Sequence, residues 1–175
     1  MQVNNNNTNP NFRAKMLLTG NLKKSSRWQG IAKKFEEQTV KSPKYEMEIL
    51  ANEKGQLETA TDRGVLDDLT PRYFRLKQKG FSKLMKLSDD KIVEKFKKLL
   101  DVVKMQDKHQ DTAVDTVFDM QDKLGITLDT FTMDSIVDSM AKKVKTQINS
   151  TIAKDSVLKH CDKEPSKGVW DYWVE

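Results

Sequence analysis

The sequence predicts an α+β protein, with a small N-terminal sheet of about three strands and one helix followed by a C-terminal bundle of about four helices. Three observations carry this reading. Apolar and polar residues alternate between Phe12 and Leu18 and again between Tyr45 and Thr61, the period of half-buried strands. Between them, Trp28, Ile31, Ala32 and Phe35 recur at helical spacing. From residue 65 onward the apolar spacing is helical throughout. With 175 residues, 37% hydrophobic and 33% charged, the chain is polar but has the composition of a folded one. It divides into an Asn-rich leader (1–11), a small α/β subdomain (12–64), a helical subdomain (65–160) and an aromatic C-terminal tail (161–175).

The leader contains four consecutive Asn residues and buries nothing, so it is expected to be disordered. Phe12, Ala14, Met16 and Leu18 form the inward face of a first strand, ended by Gly20. Ser25 or Ser26 caps the helix carrying Trp28 to Phe35, with Pro43 at its exit. Tyr45, Met47 and Ile49 alternate with acids, residues 52–55 form a turn, and Leu57, Thr59 and Thr61 return as the second arm of a hairpin.

The helical part opens at Thr70–Pro71, a cap followed by a residue suited to the first turn, and its first helix stops at Gly80. Ser88 caps a second helix whose Asp89 and Asp90 complement the dipole, and Ile92, Phe96, Leu99 and Val103 form its stripe. A third runs from about Asp111 to Leu124, with Val114, Val117, Phe118, Gln121 and Leu124 on one side and Gly125 at the C-cap position. The fourth starts near Asp129 or Thr132 with the stripe Met133, Val137, Met140, Val144, Ile148 and Ile152, which could continue to Leu158, and the poor helix formers Asn149, Ser150 and Thr151 leave room for a kink or break.

Charge is unevenly spread. Residues 1–87 carry 17 Lys and Arg against 9 acids, whereas residues 88–175 carry 14 against 17. No acid precedes Glu36, and none occurs from Leu69 to Ser88. A field of this kind favours polyanions, acidic proteins or anionic headgroups. The stretch holding Arg72, Arg75, Lys77, Lys79 and Lys83 also contains Tyr73, Phe74 and Phe81, so cations and stacking rings together suit nucleic acid or another polyanion. On one helix, Arg72, Arg75 and Lys79 would share a face. Conversely, Asp107, Asp111, Asp115, Asp119 and Asp122 form a ladder expected to lie in one line away from Val114, Val117 and Leu124.

Enzymatic chemistry finds little support. The two histidines, His109 and His160, have no adjacent nucleophile arrangement, since His160 and Cys161 are consecutive and their side chains diverge. Phosphate loops, dinucleotide fingerprints and serine nucleophile elbows are missing, and the single cysteine supports neither a disulfide framework nor a multi-cysteine zinc site. No catalytic residue, metal ligand or cofactor is assigned. The longest apolar run is three residues, which predicts no membrane span and a cytoplasmic protein.

The tail concentrates aromatic surface in Trp170, Tyr172 and Trp173, residue types common at binding hot spots. The expectation is therefore a non-enzymatic interaction protein that binds a partner, with an unknown protein favoured, through helical faces or this tail. Nucleic-acid or other polyanion binding through residues 72–86 is the alternative. A second alternative is a secreted bacterial effector whose Asn-rich start serves as an uncleaved export signal.

Overall fold

The computed structural model describes residues 14–40, 42, 45–51, 56–62 and 72–163. The Asn-rich leader, Phe12, Pro43, the turn at 52–55, residues 63–71 and the aromatic tail beyond Lys163 lie outside the described residues. The class is α+β. The chain forms two compact units, one from residues up to Lys97 and from His160 onward, the other from Lys98 to Lys159.

The first unit is built on a five-stranded sheet in the order β1 (Lys15–Leu18), β2 (Glu46–Ala51), β3 (Leu57–Asp62), β4 (Arg72–Leu76) and β5 (Cys161–Lys163). Strands β1 and β2 are parallel and every other pair is antiparallel. Helix α1 (Ser26–Gln38) lies between the parallel strands in sequence, as a parallel connection requires. Ser25 accepts the Trp28 N–H at 3.4 Å, and Trp28, Ile31, Ala32 and Phe35 are all buried. Each large side chain so buried contributes roughly 1.5–3 kcal/mol of transfer free energy. Trp28 meets Phe96 edge-on at 6.1 Å between centroids. Ala14, Met16, Met47, Ile49, Leu57, Phe74 and Leu76 supply the sheet's buried face.

The outer edge of β1 is covered rather than open. The Met16 N–H donates to Glu36 Oε1 (3.3 Å), and the Ala14 N–H donates to the Thr39 carbonyl (3.4 Å) at the end of α1. Both acceptors remove donors that would otherwise template a foreign strand.

The sheet has two strands more than the three expected: β5, at the start of the segment read as a tail, and β4 over residues 72–76, where the Thr70–Pro71 signal predicted a helix. Two facts explain β4. Phe74 and Leu76 alternate inward while Arg75 lies half-exposed, and β3 offers an edge on which Thr59 opposes Phe74 and Glu58 opposes Arg75. Thr59 donates its hydroxyl to the Phe74 carbonyl (3.3 Å), and Arg75 Nε donates to Glu58 Oε1 (2.8 Å). The helix comes later, as α2 (Gln78–Met85), and Gly80 lies inside it rather than at its end. Arg27 of α1 is committed internally: Nε pairs with Asp89 (2.8 Å) and its two Nη groups donate to the carbonyls of Met85 and Leu87.

The two helices expected on either side of residue 107 are one, α3 (Asp89–Leu124). Its Asp89–Lys97 portion belongs to the first unit and the remainder to the second. It ends on Gly125, whose φ of +64° lets the Ile126 N–H reach back to the Gln121 carbonyl (3.2 Å); this is the six-to-one bond of a Schellman cap.

A connection of five residues, the length of a helical-hairpin loop, leads to α4 (Thr130–Ala153). Asp129 caps α4, accepting from the Thr132 N–H (2.8 Å) and hydroxyl (3.0 Å), and these bonds hold its carboxyl below the usual range. The helix runs unbroken through Asn149–Thr151 and ends at Ala153, short of Leu158; Thr151 satisfies its hydroxyl on the Gln147 carbonyl (2.9 Å).

Beyond Ala153 the chain turns on Asp155, whose side chain is 2% exposed. Its Oδ1 accepts the N–H groups of Val157 (2.9 Å) and Leu158 (3.1 Å), and its Oδ2 pairs with Lys98 (3.0 Å). Leu99, Leu100, Val102, Val103, Ala113, Val117, Leu128, Ile148, Ile152, Val157 and Leu158 are the buried apolar side chains of this unit.

Candidate functional site

The five cations proposed for polyanion binding do not share a helix face. Arg72 and Arg75 lie on β4, Lys77 at the start of α2, and Lys79 and Lys83 within it. Arg75 is engaged with Glu58 on the neighbouring strand. Lys77, Lys79 and Lys83 are exposed, and Lys83 Nζ donates to His160 Nε2 at 3.2 Å. The His160 carbonyl in turn accepts the Lys77 N–H (3.1 Å). His160 thus joins the start of β5 to α2 by two bonds, which is a packing role. Trp170, Tyr172 and Trp173 lie outside the described residues.

His109 sits on α3 in the second unit with Nε2 buried and without a partner among the described residues; burial lowers its pKa from 6.5. Asp107 is two residues away, a spacing at which helical side chains do not face each other. Among the described residues no three His, Cys, Asp or Glu side chains group as metal ligands, and no helix is long and apolar enough to cross a membrane.

The acidic ladder is not a single outward line. Asp107 is 4% exposed, whereas Asp111, Asp115, Asp119 and Asp122 face solvent. Each four-residue step advances about 40° around a helix of 3.6 residues per turn, so a row of such steps drifts from the buried side to the open one.

That drift brings the open carboxylates beside a side chain expected in the core. Phe118 was grouped with Val114 and Val117, but only Val117 is buried; Phe118 is 59% exposed. Asp115 and Asp122 stand three residues before and four after it, the positions that neighbour it on a helix surface.

The connection and the start of α4 continue the feature. Leu124, Ile126 and Phe131 are 58%, 53% and 84% exposed, and Phe131 has Asp134 and Asp138 at three and seven residues on its own face. Among the described side chains of α4, Ile148 and Ile152 are buried, while Met133, Val137, Met140 and Val144 are half-buried. The end of α3, the connection and the start of α4 therefore each present exposed aromatic or aliphatic side chains, with carboxylates nearby in sequence. Sequence reasoning passed over Phe131, although its position opposite the Met133–Ile152 stripe on a helical wheel was a readable signal.

No family model, no curated protein and no solved structure matches this chain.

Proposed function

We propose that this chain is a non-enzymatic interaction protein that docks another macromolecule through the α3–α4 hairpin. The observation that carries the reading is the exposure of Phe118 and Phe131, together with Leu124 and Ile126, around the connection between α3 and α4. Each ring left in water forgoes roughly 1.5–3 kcal/mol that burial against a partner would recover. Aromatic anchors of this kind carry most of the energy at protein interfaces.

The test is site-specific photocrosslinking in extracts of the source cell, with p-benzoylphenylalanine placed at Phe131 or, as control, at exposed Lys33 of α1. A discrete adduct from position 131 that position 33 does not give is the expected result. Adducts absent at 131, or the same from both positions, would remove the hairpin as the docking surface.

Polyanion binding through residues 72–86 is the second reading, supported by the exposed side chains of Lys77, Lys79 and Lys83. It predicts nucleic-acid binding whose affinity falls steeply with salt and weakens when these lysines become Glu.

A further inference from the structure

We infer that the partner segment that docks on the hairpin is a basic amphipathic helix. This rests on the docking reading above and specifies the chemistry of the occupant. The argument is charge complementarity around the apolar anchors. Residues 111–138 carry seven Asp against the single cation Lys123. Asp115, Asp122, Asp134 and Asp138 are exposed, and none forms an ion pair with another described residue. Asp115, Asp122 and Asp134 are helical neighbours of Phe118 and Phe131, and Asp138 follows two turns along the face of Phe131, so each exposed ring lies within a negative local field.

Like-charge rows of this kind oppose helix stability by a few tenths of a kcal/mol per pair. A cationic partner removes that repulsion as it binds. A helix with Leu or Phe along one face and Lys or Arg flanking it meets both halves of the surface: its apolar stripe covers the rings, and its cations reach the carboxylates and the ring faces.

The same field argues against the other polyanionic or amphiphilic occupants. Nucleic acid and anionic bilayers carry the charge of the surface itself. The chain's own tail, residues 164–175, has Glu164, Asp171 and Glu175 against Lys167 and is repelled likewise.

The experiment measures anisotropy of labelled 18-residue peptides on the full chain at roughly 50 mM and 300 mM NaCl, where exposed charges are weakly and strongly screened. One peptide is a Lys/Leu amphipathic helix, one its Glu/Leu counterpart, and one the Lys/Leu composition scrambled so that no apolar face forms. Two variants accompany the intact chain: F118S/F131S, and D115N/D122N/D134N/D138N. All six substitutions fall on exposed side chains, and circular dichroism verifies folding.

The expected result is selective binding of the Lys/Leu helix, weakened about tenfold or more by high salt and by either variant. Equal binding of the Glu/Leu helix, or full affinity in the four-Asn variant with the Phe dependence intact, overturns the basic partner but keeps the dock. Loss of Phe dependence for every peptide overturns the dock itself. Phe-dependent binding to phosphatidylserine vesicles, or a Phe-dependent dimer by analytical ultracentrifugation, overturns the inference in favour of a lipid or a second copy.

Discussion

One substitution, glycine to alanine, is expected to act with opposite sign at two helical positions of the same unit. Gly30 lies in α1 and is exposed; a Cβ built there meets nothing within 4 Å. Alanine in a helix interior is favoured over glycine by about 0.8–1 kcal/mol, so Gly30→Ala should stabilise by about that amount. Gly80 lies in α2 and is buried. A Cβ there would stand 2.4 Å from Leu76 Cδ1, 2.9 Å from His160 Cβ and 3.0 Å from Leu76 Cγ.

The leucine end can rotate only within a packed core, since Leu76 is 4% exposed. The His160 Cβ is one bond from a backbone whose carbonyl is tied to the Lys77 N–H. Overpacking of this kind costs about 1–3 kcal/mol, here towards the upper end because the second neighbour is rigid. Subtracting the propensity gain leaves Gly80→Ala destabilising by about 2 kcal/mol. Urea denaturation followed by Trp28 fluorescence, with Trp170 and Trp173 replaced by Phe, reads the first unit directly. If Gly80→Ala is neutral, or stabilises as Gly30→Ala does, then α2 does not pack against β4 and His160 as closely as described.

Asp155→Ala should cost roughly 2–4 kcal/mol, because two buried N–H groups lose their acceptor while half-exposed Lys98 rehydrates. Asp155→Asn keeps an oxygen for both donors and should cost about 1 kcal/mol, and equal urea midpoints for the two variants would refute the capping role. His109 is held below its ordinary pKa of 6.5, so the unfolded chain binds a proton that the folded chain does not. Its contribution is complete above about pH 6.5 and is lost as pH falls from there towards the lowered folded value. The stability of His109→Gln should therefore depend less on pH in that window than that of the parent, and parallel urea-midpoint profiles would contradict it.

Much of the fold was legible because its signals are local. Helix α1 announced itself through a Ser cap and four apolar residues at helical spacing, all of them buried. The hairpin of β2 and β3 was equally plain. Strand β4 was not, since five residues after Thr70–Pro71 match a helix start, and only the edge of β3 and its Glu58 select the extended form. Likewise α3 was divided where Gln106 to Gln110 dilute the apolar stripe, yet no Gly or Pro interrupts it, and Gln106, Lys108 and Gln110 favour the helix enough to carry it through.

The candidate surface was half readable. The Asp ladder was visible, but the exposure of Phe118 depends on where tertiary packing stops, which helical period alone does not encode. Asp107 shows the converse, a carboxylate read as solvated that the drift of the ladder turns inward.

The order of strands in the sheet has a consequence for biosynthesis. Strands β1 to β4 emerge in sheet order, but the partner of β4 on its other side, β5, follows only after α2, α3 and α4 have been made. Leu76 pairs with Cys161, a separation of about 85 residues, which at about 5–20 residues per second takes roughly 4–17 s to translate. For that interval the nascent sheet carries an unpaired edge bearing Phe74 and Leu76. The nascent chain is therefore most exposed to strand-adding misassembly before its last strand leaves the ribosome, and holdase chaperones that shield β4 would matter most in that window.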